Sequence, residues 1–226
     1  TLSAAFGQFG RDARHLMRTE IAEVREQFQE GQVGSSTMAH KRNPINFESL
    51  EGMWLRTRKE FLGVTDTLIS EHQRDLVGSS LMRDFPIIVV NLTQQLNTLL
   101  RKGKEDPRPF LERLIIDPEA CERNFALSSG VILAEPLYLA LQMAGYEGDA
   151  HGFVNDKAMP LSQKKGILLI EATEELARDN AEVRAALEAI PGDVRRLFAY
   201  PHEYTGKARD KALEVARAAR EFFEAA

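Results

Sequence analysis

The sequence predicts an all-α protein: a bundle portion of long helices, then a smaller helical domain. Three observations predict it. No stretch sustains the period-two alternation of a half-buried strand, so strands are not expected. Apolar residues recur at threes and fours over long spans, the stripe that a helix buries. The segments between breaking residues are long before Gly103 and short after it.

The first helix is under way where the chain begins. Leu2, Phe6, Phe9, Ala13, Leu16, Met17, Ile21, Val24 and Phe28 form one amphipathic stripe, read as plain core packing. Residues 30–42 form a loop. A second helix is predicted from Pro44 to Ile69, carrying Leu50, Met53, Trp54, Phe61, Leu62, Val64 and Leu68. A third runs from Ser80 to Lys102, with Pro86 early in it and Gly103 as its stop.

Gly103 to Pro109 reads as a linker, which divides the chain into domains at 1–108 and 109–226. Asp117-Pro118-Glu119 is a helix start, with a capping carboxylate and proline in the first turn. Ser128-Ser129-Gly130 begins another helix. Residues 145–149, Pro160, Pro191-Gly192 and Pro201 are further breaks, and 205–226 is a closing helix rich in alanine and alternating charge. There is no internal repeat. Three long helices cannot bury all their apolar faces alone, so partner helices are expected.

The composition bounds the function. The 226 residues are 43% hydrophobic and 28% charged, ordinary for a globular protein. The formal charge of −5 argues against nucleic acid as the main partner. The apolar run Ile87–Val90 is far too short to span a bilayer, and Thr1-Leu2-Ser3 is no secretory signal. A single cysteine, Cys121, excludes an internal disulfide framework and fits a reducing compartment, here read as the cytoplasm.

The most informative stretch is Gly34-Ser35-Ser36-Thr37-Met38-Ala39-His40-Lys41-Arg42-Asn43-Pro44. It sets two hydroxyls, a cation and a carboxamide on one loop. The loop runs into a helix with Asn43 as N-cap and Pro44 as first residue. A helix start offers free N–H groups and positive potential. These parts suit holding a carboxylate and drawing a proton from the carbon beside it. A flexible Gly/Ser connector before a basic patch is the plainer reading, but it does not account for so many residue types at fixed offsets.

This loop resembles the GSSxMPxKxNP motif of the fumarase/aspartase superfamily of lyases, and departs from it only at Ala39, where that family has proline. The resemblance covers the chain but only the C-terminal half of the family's length. It implies a piece of a longer protein that lacks the N-terminal domain and is inactive alone. The fold it implies is part of the central long-helix bundle, then a small helical C-terminal domain.

The resemblance also implies roles. Ser35 is the general base, and the residues alone leave Ser36 as its alternative. A serine hydroxyl ionises only in a site with donors and positive charge aimed at it. Ser36 and Met38 contact substrate. Lys41 and Asn43 hold the substrate carboxylate more tightly as charge develops on it. Glu48, in the opening turns of the second helix, orients a histidine. The general-acid histidine belongs to the missing half.

A second cluster, Glu71 to Arg83, offers Arg74, Ser79 and Arg83: two guanidinium forks and a hydroxyl near a helix start, suited to a phosphate. On its own it reads equally as a capped turn with surface arginines. At these offsets it is similar to the phosphate-binding segment of the adenylosuccinate lyase family. So are the flanks Thr19-Glu20, Glu23-Val24 and Gly31-Gln32, and the late Tyr204-Thr205-Gly206-Lys207-Ala208.

The implied reaction is β-elimination of fumarate from a succinylamino nucleotide, in a homotetramer whose sites combine several chains. The carboxymuconate cycloisomerases share several of these features and are the rival, and a non-catalytic helical oligomerisation scaffold is the reading from another class. His15, His40, His72, His151 and His202 show no metal-ligand spacing, and no dinucleotide or Walker motif occurs. No metal or organic cofactor is expected.

Overall fold

The computed structural model describes the chain outside residues 28–40, 70, 71, 73–75 and 226. Helices dominate, as predicted. The chain forms two compact units, Thr1–Glu122 and Arg123–Ala226.

In the first unit α1 (Leu2–Leu16), α2 (Ile45–Asp66) and α4 (Phe85–Leu100) pack together, with a short α3 (Val77–Leu81) between the last two. α1 buries Ser3, Gly7, Gly10 and Ala13, whereas Leu2 is 52% exposed. The predicted apolar stripe is therefore not the main contact face. A Cβ on Gly7 would lie 2.5 Å from Trp54 Cβ, and one on Gly10 would lie 2.6 Å from the Phe47 carbonyl oxygen. Small residues let α1 and α2 approach that closely. Phe9, Ala13 and Met17 do join a core, around Phe47 and Phe110. Phe47 is fully buried, with Phe9 and Phe110 edge-on at 6.0 and 5.8 Å between ring centres.

The three helices share one buried amide. The Ser3 hydroxyl donates to Gln95 Oε1 at 2.7 Å. Gln95 Nε2 donates to the carbonyls of Ser3 and Leu50 at 3.2 and 2.8 Å. Gln95 is wholly buried and its amide is satisfied on both sides, as burial of a polar group requires.

Three predicted boundaries shift, each for a local reason. α1 stops at Leu16 instead of running to Phe28. The chain reverses through Ala22, which sits at φ 57°, the left-handed region that an L side chain rarely adopts. It then extends into β1 (Val24–Arg25), paired antiparallel with β2 (Ile115–Ile116), a minimal ladder where no strand was expected. The predicted third helix is two, because a proline ring clashes with the carbonyl four residues back. Pro86 therefore sits in the first turn of α4, and the chain turns between α3 and α4. Finally, residues 109–122 pack with the first unit. Arg113 donates to the carbonyls of Arg108 and Arg101 at 3.0 Å each, Phe110 enters the aromatic core, and β2 pairs with β1.

α5 (Pro118–Ala126) starts where predicted, with Asp117 Oδ1 accepting from the Ala120 N–H at 3.1 Å. In the second unit α6 (Ala134–Met143) begins after turns that include Ser128-Ser129-Gly130, rather than at them. There follow α7 (Ala150–Gly152), a π-helical stretch Phe153–Ala158, α8 (Met159–Lys165), α9 (Leu169–Ala177), α10 (Ala181–Ala189), α11 (Gly192–Ala199) and α12 (Ala208–Glu224). Leu137, Leu141, Val154, Ala158 and Val183 form the centre of its core, each with no exposed surface. Among the described residues no helix is long and apolar enough to cross a membrane.

Candidate active site

Lys41 and Arg42 are exposed, and Asn43 and Pro44 half-buried, in an irregular limb that leads into α2. Ser35, Ser36, Met38 and Ala39, the loop's hydroxyl and apolar positions, lie outside the described residues, as does Arg74 of the second cluster. Pro44 takes the N-cap position and Ile45 is the first helical residue, one later than the sequence reading. Glu48 stands exposed in the first turn.

The helix start differs from the expectation in one chemically important way. Its first-turn donors are already in use. The Ile45 N–H donates to the Asn43 carbonyl at 2.9 Å, and the Glu48 N–H to the Pro44 carbonyl at 2.8 Å. Between them, the N–H groups of Asn46 and Phe47 donate to Glu26 Oε1 at 2.9 and 3.0 Å. Glu26 Oε2 accepts from Asn46 Nδ2 at 2.6 Å, and Asn46 Oδ1 accepts from Arg101 at 2.6 Å. A proline has no side-chain oxygen, so α2 takes its cap from a carboxylate of a distant segment. Glu26 is 3% exposed.

Burial pushes the Glu26 carboxyl above its ordinary range, with the Glu48 carboxylate adding to the push, while the Phe47 and Asn46 donors pull against it. The hydrogen bonds fix the chemistry of the chain. A guanidinium only donates, so Asn46 meets Arg101 with its oxygen and Glu26 with its amide nitrogen. All three hydrogen bonds to Glu26 then come from donors, and the geometry is that of an ionised carboxylate. These N–H groups are therefore not free to meet an anion at the start of α2.

The second cluster is elsewhere. Ser79 is exposed in α3, and Arg83 is exposed in the turn before α4. A Cβ on Gly63 would touch Leu81 Cδ2 at 3.7 Å and Asp84 Oδ2 at 3.9 Å, so this turn lies against the C-terminal part of α2. At ~1.5 Å per residue, Gly63 is roughly 27 Å along the helix from Ile45. Within one chain Lys41, Asn43 and Glu48 thus stand at the start of α2, and the turn that carries Arg83 lies toward its other end. Among the described residues no three His, Cys, Asp or Glu side chains converge as metal ligands would.

Glu26, Asn46 and Arg101 went unread in the sequence. A signal existed: a helix begun by proline needs an outside acceptor for its first N–H groups. Nothing in the sequence pattern says which glutamate supplies it.

A family model described as "Lyase" matches residues 1–58, the span that holds α1, the limb and α2 as far as Arg58. The adenylosuccinate lyase of Pyrococcus horikoshii is 35% identical over 219 residues, 95% of this chain and 44% of that protein. That of Pyrococcus abyssi is 37% identical over 203 residues, 88% of this chain and 41% of that protein. Among solved structures, the 3-carboxy-cis,cis-muconate lactonizing enzyme from Pseudomonas putida superposes with a TM-score of 0.67 at 28% identity, over 97% of this chain and 45% of that one. The chain spans less than half the length of these relatives and matches the C-terminal half of the lyases.

Proposed function

Because this chain belongs to the fumarase/aspartase superfamily of lyases, we propose that it is the C-terminal half of an adenylosuccinate lyase. The whole protein would eliminate fumarate from adenylosuccinate and from the succinylaminoimidazole carboxamide ribotide of purine biosynthesis. The observation that carries this reading is the 35% identity to an adenylosuccinate lyase across 95% of the chain.

Ser35 takes the proton from the carbon beside a succinyl carboxylate. The electron pair moves into that carboxylate, giving a dianion that Lys41 and Asn43 hold. The carbon–nitrogen bond then breaks, the pair goes to nitrogen, and a histidine from outside this chain protonates it. Glu48 orients a histidine, and Ser36 and Met38 contact the substrate. Arg74, Ser79 and Arg83 hold the 5′-phosphate. The substrate carboxylate is itself the electron sink, so no cofactor is invoked. A nucleotide substrate puts the reaction in the cytoplasm.

The active unit is a homotetramer with composite sites. Two features support this. Lys41 and Asn43 at the start of α2 and Arg83 toward its other end suit a site that different copies supply. The long helices also keep apolar side chains exposed, Phe61 at 55%, Leu62 at 58% and Val90 at 64%.

The likeness to the lactonizing enzyme favours one rival, cycloisomerisation of 3-carboxy-cis,cis-muconate. The test offers the full-length protein both substrates side by side. Fumarate from adenylosuccinate is the expected result. Turnover of the muconate alone would replace the proposal with its rival.

A further inference from the structure

The limb Lys41–Pro44 and Glu48 are attached to a helix start that its own sequence leaves uncapped. One buried carboxylate holds that start. Glu26 accepts from Asn46 N, Phe47 N and Asn46 Nδ2, while Arg101 braces the far side of the Asn46 amide. Phe47, whose N–H is held, is also the fully buried centre of the aromatic core. The first turn of α2 is thus pinned on two sides, by Glu26 at the backbone and by Phe9 and Phe110 at the ring.

We propose that Glu26 is a positioning residue: clamped on the first turn of α2, its carboxylate fixes how the adjoining limb presents Lys41 and Asn43 to the substrate anion. Because Glu26 occupies the first-turn N–H groups of α2, the substrate anion there depends on the side chains of the adjoining limb. Their placement then carries the stabilisation of developing charge, which depends steeply on geometry. This role rests on the lyase reading above.

The hydrogen-bond polarity supplies the test. In Glu26→Gln the new amide nitrogen faces Asn46 Nδ2, donor against donor. Turning the Asn46 amide only moves the conflict to Arg101. Adding Asn46→Asp resolves it, since the introduced carboxylate accepts from both neighbours, and it stands in the first turn of a helix, where negative charge is favourable.

The experiment uses the full-length protein and two readouts: hydrogen exchange of residues 41–50, and kcat and KM for fumarate release. Glu26→Gln is expected to speed exchange at Asn46 and Phe47 about tenfold or more. It should lower kcat roughly 10- to 100-fold while KM moves less than about threefold. The double variant should return both readouts to within about threefold of wild type.

Unchanged exchange in Glu26→Gln overturns the clamp. Faster exchange with unchanged kcat overturns the positioning role. A double variant that folds but does not recover kcat also overturns it, because a pin lost and restored must restore turnover. A wild-type protein that releases no fumarate is a different failure, that of the lyase reading, and the exchange readout still decides the clamp.

Discussion

Gly10 offers the sharpest test of how α1 and α2 set up this site. In Gly10→Ala the new Cβ would lie 2.6 Å from the Phe47 carbonyl oxygen, 2.8 Å from Leu50 Cβ and 3.2 Å from the Glu51 N–H nitrogen. Ordinary contact begins at 3.4 Å, so the first two clashes are deep. None of the three atoms is the free end of a flexible side chain. The helices must therefore separate or rotate. Overpacking of this kind costs ~1–3 kcal/mol, and two rigid clashes argue for the upper end. Alanine returns about 1 kcal/mol of helix propensity. The net expectation is a destabilisation of about 2 kcal/mol.

The assay is urea unfolding of the full-length protein, followed by circular dichroism. Gly52→Ala is the control, since a Cβ there meets nothing within 4 Å in this chain and should stabilise α2 by ~0.5–1 kcal/mol. The shift in Gly10→Ala also displaces Phe47, which sits in the first turn of α2, so fumarate release should fall with stability. A Gly10→Ala protein as stable as wild type would refute the close approach of these helices.

Three further outcomes follow from the same residues. Ser35→Ala should cut turnover roughly 10²–10⁴-fold while leaving the unfolding midpoint and substrate binding in place; wild-type turnover would remove Ser35 as the base. Arg83→Ala should raise KM for nucleotide substrates ~10- to 100-fold, the loss of one charge-assisted contact to phosphate, and an unchanged KM would remove that assignment. In acid, a small Asp106 contribution should fade: its hydrogen bonds from Arg108 hold the carboxyl at about 2 against an ordinary 3.8, so the contribution is present above 3.8 and lost as pH falls toward 2, and it is small because the pair is solvent-exposed. Unfolding midpoints of Asp106→Asn across this range, set against wild type, check the sign.

Much of the fold was legible because helices announce themselves through spacing and caps. α2 matched its prediction within a few residues, and Asp117 capped α5 as its position implied. What was illegible lives in tertiary contact. Gly7 and Gly10 were not singled out in the sequence, yet they are where α1 meets α2. Gln95 was not singled out in the sequence, yet it is wholly buried because α1 and α2 supply partners for its amide. Ile21 and Val24 kept helical spacing across a reversal that only the backbone angle of Ala22 reveals.

The site divides in the same way. Lys41, Asn43 and Glu48 could be named from offsets within one short motif, because local sequence fixes their spacing. Their relation to Ser79 and Arg83 could not, because it depends on the length and straightness of α2. The clamp by Glu26 was hidden for a similar reason, since a carboxylate cap from a distant segment leaves no mark on the sequence it caps.

The measurement that tests the account most directly is complementation between two full-length variants, Lys41→Ala and Arg83→Ala, assayed for fumarate release at low adenylosuccinate. Each alone should be nearly inactive. Copies mixed and reassembled should regain activity, because some sites then draw an intact Lys41 and an intact Arg83 from different chains. A mixed oligomer that forms but stays inactive would contradict the composite site, and with it the assignment of the two ends of α2 to one substrate.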